Sequence, residues 1–121
     1  MKTTKYATHE QAIQCSDKAQ KVSAERNYIE NDDARAYVLT HSDLLDKILN
    51  ACTWMYKARY SWYLSNALGE NGRDVLKRSS DECMKAERHR DEAMAMLDRA
   101  EDIDRATYKY LIEYLHDLTT I

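Results

Sequence analysis

The feature that most limits this 121-residue chain is the placement of its helix breakers. It has no proline, and both of its glycines fall in one tetrapeptide, Gly69-Glu-Asn-Gly72. A β-sandwich or barrel needs many tight turns, and turns draw on Gly and Pro. With one strong turn signal, the chain is restricted to a few long helices joined at polar interruptions. Apolar residues make up 44% and charged residues 32% of the sequence. The first is enough for a buried core at this length, and the second suits a water-exposed surface.

Apolar and small residues then recur at spacings of three and four, the helical period. After a polar stretch over 1–8, expected to be a flexible N-terminal arm, Thr8 is a plausible N-cap. Ala12, Cys15, Ala19, Val22, Arg26 and Ile29 form the first seam, which predicts a helix over 9–30. Asn31-Asp32-Asp33 interrupts it. Leu45, Ile48, Cys52, Met55, Arg59 and Trp62 carry a second helix over 34–68. Thr40-His-Ser-Asp43 fits a capping box at which that helix restarts or kinks. From Leu76 to Leu118 the spacing is unbroken, which allows one helix over 73–118; the polar stretch Arg88–Glu92 is the alternative break, folding the chain back into a four-helix bundle. The expected fold is all-α, a single helical domain over 9–121. It is an elongated antiparallel helical hairpin with a shorter N-terminal helix, a three-helix, coiled-coil-like bundle.

A hairpin closed at Gly69–Gly72 sets residue i of the second helix level with 141−i of the third. Trp62 then faces Ser79, Met55 faces Ala86 and Ile48 faces Ala93, large against small in each layer. The same register offers Glu82 to Arg59 and Asp104 to Tyr37. The first helix, folding back at Asn31–Asp33, pairs i with 64−i, which sets Cys15 on Leu49 and Ala19 on Leu45. It thus reaches only the level of Met55, leaving the upper hairpin with two helices. That region holds Trp54, Tyr56, Tyr60, Trp62 and Tyr63, five of the eleven aromatic residues. An uncovered aromatic patch marks a contact with something else, and Trp, Tyr and Arg are the usual interface anchors. The expected partner-binding residues are Trp54, Tyr56, Lys57, Arg59, Tyr60, Trp62 and Leu64. At the other end Tyr108, Tyr110, Leu111, Tyr114, Leu115 and Leu118 also need cover, from the first helix or from a second chain, so a homo-oligomer is expected.

The sequence carries little catalytic material. There is no phosphate-binding glycine loop, nucleophile elbow or zinc-protease motif. Cys15, Cys52 and Cys83 are an odd set without a CxxC pair, read as buried thiols of a reducing cytoplasm. Glu113-Tyr-Leu-His116 has the spacing of a di-iron ligand pair, but such a centre needs two of them, so no metal and no cofactor is expected. Arg35-Ala-Tyr-Val-Leu-Thr-His41 resembles the Arg-x(4–6)-His signature of the HEPN ribonucleases, small helical bundles that are commonly dimeric. The resemblance implies that Arg35 and His41 of two subunits would bind phosphate and assist attack by the ribose 2′-hydroxyl. A polar residue usually follows the arginine in that family, and here it is Ala36.

Overall the chain carries a net charge of −3, unevenly spread. Residues 54–90 hold eight basic and five acidic side chains, whereas 91–104 hold six acids and Arg99. A basic, aromatic tip could hold single-stranded nucleic acid through Arg73, Lys77, Arg78, Lys85 and Arg88. Asp74/Arg78, Asp81/Lys85 and Arg78/Glu82, at helical pair spacing, would instead neutralise one another on the surface. No apolar run exceeds five residues (Ala93–Leu97) and the lysine-bearing start has no apolar stretch behind it, so neither a membrane span nor a secretory signal is expected. The leading expectation is a non-enzymatic protein–protein interaction module that occludes a surface of a larger protein or complex. It resembles in style the small phage-encoded inhibitors of host machinery, anti-CRISPR proteins among them, although no motif carries that likeness. A nucleic-acid-binding accessory protein is second and the HEPN-like ribonuclease third.

Overall fold

A computed structural model describes residues 6–121, so the first five residues of the expected arm lie outside the described residues. The order is α1 (His9–Asn27), α2 (Asp32–Leu39), α3 (Ser42–Leu68), a single 3₁₀ turn (Gly69–Gly72), α4 (Arg73–Arg99) and α5 (Arg105–Leu118). Every described element is helical.

Local chemistry explains most of the boundaries. Thr8 and Gln11 form a reciprocal capping box that starts α1. Asn31 accepts from Ala34 N at 2.9 Å to start α2, and Asp104 accepts from Thr107 N at 2.7 Å to start α5. The capping box expected at Thr40 does not form. The Thr40 hydroxyl instead lies 3.0 Å from both the Ala36 and Tyr37 carbonyls, closing α2, and α3 begins at His41 without a side-chain cap. With two residues between the helices, the orphan carbonyls of α2 are the nearer partners.

The hairpin is α3 against α4, in nearly the register expected. Ser79 donates to the Ala58 carbonyl at 2.8 Å, Ser61 to Glu82 at 2.6 Å, and Lys47 pairs with Glu92, each within four residues of the predicted level. Met55, Ile48, Ala86 and Ala93 are buried between the two helices. Trp62 does not cover Ser79 and is 37% exposed. The helices pinch together at the tip, where Ser61, Ser65, Ser79 and Gly72 are buried. A Cβ on Gly72 would sit 2.3 Å from the Ser65 carbonyl oxygen, so an indole has no room there. Gly69 serves differently, ending α3 at φ +58°.

Three further expectations need correction. First, α1 docks higher than the 64−i register. Ser16 shares a 2.8 Å hydrogen bond with Tyr56, eight positions beyond its expected level, and His9 lies beside Tyr60 and Ser61. Leu49, the expected partner of Cys15, is 53% exposed. The reason is that 28–31 is an extended connection and α2 a separate short helix packed on α3 and α5, so α1 is free to align along α3. Second, the third helix breaks neither nowhere nor at Arg88–Glu92, but over 100–104, where Asp104 caps the next helix. Folding back buries Leu111, Leu115 and Leu118 completely, along with most of Tyr114, within the chain's own core. Third, the seam polar residues take other partners. Tyr37 donates to Asp102, because Asp104 is occupied as a cap, and Glu82 goes to Ser61 rather than Arg59.

Arg59 is fully buried at the junction of three helices. Its guanidinium donates to Ser23 Oγ at 2.9 Å, to the Leu118 carbonyl at 2.7 Å and to the Thr120 carbonyl at 2.9 Å. It therefore ties α1 and the C-terminal end of α5 to α3. Carbonyls left open at a helix C-terminus carry partial negative charge, which suits a cation.

Candidate interaction surface

The residues expected to bind a partner divide into an inner and an outer set. Arg59 is inside for the reason just given, and Leu64 is only 6% exposed, so neither presents a contact surface. Trp54, Tyr56 and Tyr60 are half-buried, and Lys57 and Trp62 are exposed. Tyr56, Lys57 and Tyr60 line an open groove whose floor is α3. The N-terminal half of α1 forms one wall, with His9, Ala12 and Ile13. Arg78 and Glu82 of α4 form the other. Because α1 docks high, the groove is narrower than the bare two-helix crown expected from the sequence.

Of the upper-hairpin cations, Lys57 and Arg78 line this groove, and Lys85 meets Lys57 at the Trp54 ring beside it. Lys57 Nζ sits 4.3 Å and Lys85 Nζ 4.4 Å from the centre of the Trp54 ring, so two ammonium groups from different helices share one indole. Arg78 donates to Ser61 at 3.3 Å. None of the pairs Asp74/Arg78, Asp81/Lys85 and Arg78/Glu82 forms; the ion pairs among the described residues are Arg35–Asp32, His41–Asp102, Lys47–Glu92 and Arg90–Asp91. The acidic Glu82 is engaged by the Ser61 hydroxyl.

The expected nucleic-acid contacts do not share a face. At 100° per residue, Arg78 and Lys85 lie about 80–100° around α4 from the core-facing Ala86, on the groove side. Arg73, Lys77 and Arg88 lie about 140–180° away, on the outer face, and all three are exposed. Sequence reasoning missed Ile13, which is 48% exposed in the groove wall. It stands between the seam residues Ala12 and Cys15, and a reading that follows the seam passes over its neighbours.

The chemically reactive groups are engaged elsewhere. The Arg35 guanidinium contacts the Ile29 carbonyl at 2.6 Å, Asp32 at 3.2 Å and the Tyr28 hydroxyl at 3.1 Å. His41 Nε2 lies 2.6 Å from Asp102 and Nδ1 2.6 Å from the Tyr37 carbonyl, so both ring nitrogens are taken. The Asp102 bond, followed by the Tyr37 carbonyl, raises the His41 pKa, and Asp102 is correspondingly lowered. All three cysteines are free; burial pushes the Cys52 thiol up to about 11, and raises Cys15 and Cys83 as well. Protonated thiols are poor nucleophiles. No helix of the described residues is long and apolar enough to cross a membrane. No family model matches the chain, and no curated protein or solved structure is significantly similar to it.

Proposed function

We propose that the protein is a non-enzymatic interaction module that docks the groove between α1 and the α3–α4 hairpin onto an acidic surface of a larger protein, and acts by covering that surface. The observation that carries this reading is the Lys57–Trp54–Lys85 cluster, two cations placed on one ring with no carboxylate partner among the described residues. Cations already ordered on an aromatic face lose less freedom when an anionic partner arrives. Tyr60, Ala12 and Ile13 in the groove supply apolar contact beside them. The occlusive mode, in the style of small phage-encoded inhibitors, is part of the proposal, and three free thiols suit a reducing cytoplasm.

Nucleic acid is the second reading, favoured by the same unpaired cations. Stacking on bases needs open ring faces, however, and the Trp54 ring carries two ammonium groups while the Tyr56 hydroxyl is held on Ser16. A tagged chain, used to capture a partner that is then purified and titrated directly, tests the choice. Trp54→Ala/Tyr60→Ala and Lys57→Glu/Lys85→Glu should each weaken that binding about tenfold or more, with Lys77→Glu on the outer face unchanged. Equal binding by both groove variants would remove the groove from consideration. Tight, steeply salt-dependent binding of a single-stranded oligonucleotide, lost in the lysine variant, would select the second reading.

A further inference from the structure

Arg78, near the start of α4, and Lys85, midway along it, are set apart from the acidic segment 98–104 at and beyond its end. Lys85 and Arg78 are 13 and 20 residues from Asp98 along α4, which is about 20 and 30 Å at 1.5 Å per residue. Both distances exceed two Debye lengths at physiological salt, which are about 8 Å each. The acids of 98–104 therefore do little to neutralise Lys85 and Arg78 within one chain. The acidic end has its own relief: a recess between α2 and the start of α5, lined by Asp33, Asp102, Asp104 and Tyr37. Within it Asp102 takes His41 and Asp104 caps α5, while Asp33, and Glu101 just outside, hold no partner among the described residues. A groove lined by Lys57 and Arg78, with Lys85 beside it, and an acidic recess between α2 and α5 are complementary between molecules.

We propose that the groove of one copy receives the acidic end of a second copy, so that the protein associates head to tail through Lys57, Lys85 and Arg78 on one side and Asp33, Glu101 and the 100–104 connection on the other. The proposal rests on the reading of the groove as a docking surface for an acidic protein, and names a second copy as one such protein. A contact of two different patches does not close on itself as a two-fold dimer does; it builds a ring or an open chain. Copies so joined have their grooves occupied, so self-association and capture of another partner compete for the same cations.

Sedimentation velocity over a concentration series in 50 mM and 500 mM salt reads this directly. The wild-type chain should gain mass with concentration at low salt and return to monomer at high salt. Lys57→Glu/Lys85→Glu reverses the cationic contacts and Asp33→Lys/Glu101→Lys reverses the acidic ones; each alone should weaken association at least tenfold, with helicity and melting checked by circular dichroism. Mixed together, the two variants should associate again, because the new glutamates of one then meet the new lysines of the other. If the base variant is unfolded, Asp33→Asn/Glu101→Gln takes its place, and a partial loss of association is expected. A wild-type chain that stays monomeric at low salt, or a mixture of folded variants that stays monomeric, overturns the proposal while leaving the capture reading standing. Association that the groove variant loses, alongside unchanged capture of another partner, would sink the capture reading instead. Low-salt association indifferent to both variants would overturn the head-to-tail contact.

Discussion

Arg59, midway along α3, and His41, at its start, each reach across to the segment that carries α5, Arg59 holding its exit through the Leu118 and Thr120 carbonyls and His41 its entry through Asp102. One cation is fully buried and the other sits at the surface with a third of its side chain exposed. The buried one uses neutral acceptors only, the open carbonyls at a helix end together with Ser23. Burial lowers the Arg59 pKa, but from so high a starting value that the group stays charged at any pH the fold survives. The exposed one uses a carboxylate, whose hydrogen bond raises its pKa above the ordinary 6.5. The exit of α5 is thus clamped permanently, and its entry conditionally.

The sharpest way to break this comparison is Arg59→Ala. It strands two carbonyls and a serine hydroxyl in the interior and leaves a cavity where α1, α3 and α5 meet. The expected loss is about 3–5 kcal/mol of unfolding free energy, measured by urea titration. Arg59→Lys keeps the charge but cannot bridge partners on two helices from one planar fork, so it should recover less than half of that loss. A loss below about 1 kcal/mol would mean that α5 is held by Leu111, Leu115 and Leu118 alone.

Gly72→Ala tests the clamp indirectly, through the register that aims Arg59. The new methyl would lie 2.3 Å from the Ser65 carbonyl oxygen, a backbone atom that cannot step aside. Opening the tip should cost about 2–3 kcal/mol. Gly69→Ala, in open space but at φ +58°, should cost about 1 kcal/mol. If the two substitutions cost the same, the tip is not pinched and the register has another origin.

These sites also mark how far the sequence was legible. The helical class, the Gly69–Gly72 reversal and the α3–α4 layers of Met55 on Ala86 and Ile48 on Ala93 follow from spacing, because periodicity reports which face is buried. What periodicity does not report is which neighbour does the burying. Arg59 sat on the seam with Glu82 level with it, and the fold sent it the other way, to carbonyls that no side-chain pattern encodes. The three–four series also ran through Asp104 and Thr107 without pause, since a cap residue can occupy a seam position; Asp104 at the head of an apolar run was the signal available. The same limit applies at the candidate surface. Trp54, Lys57 and Lys85 were singled out, but their meeting on one ring depends on the hairpin's lateral packing. Ile13 entered the groove only because α1 docks high.

A smaller effect is expected at the entry of α2. Asn31→Ala removes the acceptor for Ala34 N and should cost about 1 kcal/mol. Because Asn31 and His41 lie at opposite ends of the eight-residue α2, the loss should add to any change at His41 rather than merge with it. Strong coupling between them would show that α2 opens as a unit, and the conditional grip would then extend over the whole helix.

The subtlest prediction is the pH dependence of that grip. His41 is stacked on Tyr37 and faces Asp102 in a recess that also holds Asp43 of α3 and Arg99 at the end of α4, with Asp33 and Asp104 nearby. Its folded pKa is raised above the ordinary 6.5, first by the Asp102 hydrogen bond. The stability it contributes is therefore fully present below about pH 6.5 and is lost as pH rises through the raised value. Asp102 is lowered from 3.8, first by His41, so its contribution is present above about pH 3.8 and lost as pH falls through the lower folded value. The joint is strongest between those limits. The urea midpoint should fall between pH 5.5 and pH 8.5 in the wild-type chain, and much of that fall should vanish in Asp102→Asn and in His41→Gln. Arg59→Lys, if folded, should keep it, because the buried clamp does not titrate over that range. An undiminished fall in Asp102→Asn would assign the pH step to another histidine and leave both ends of α5 equally permanent.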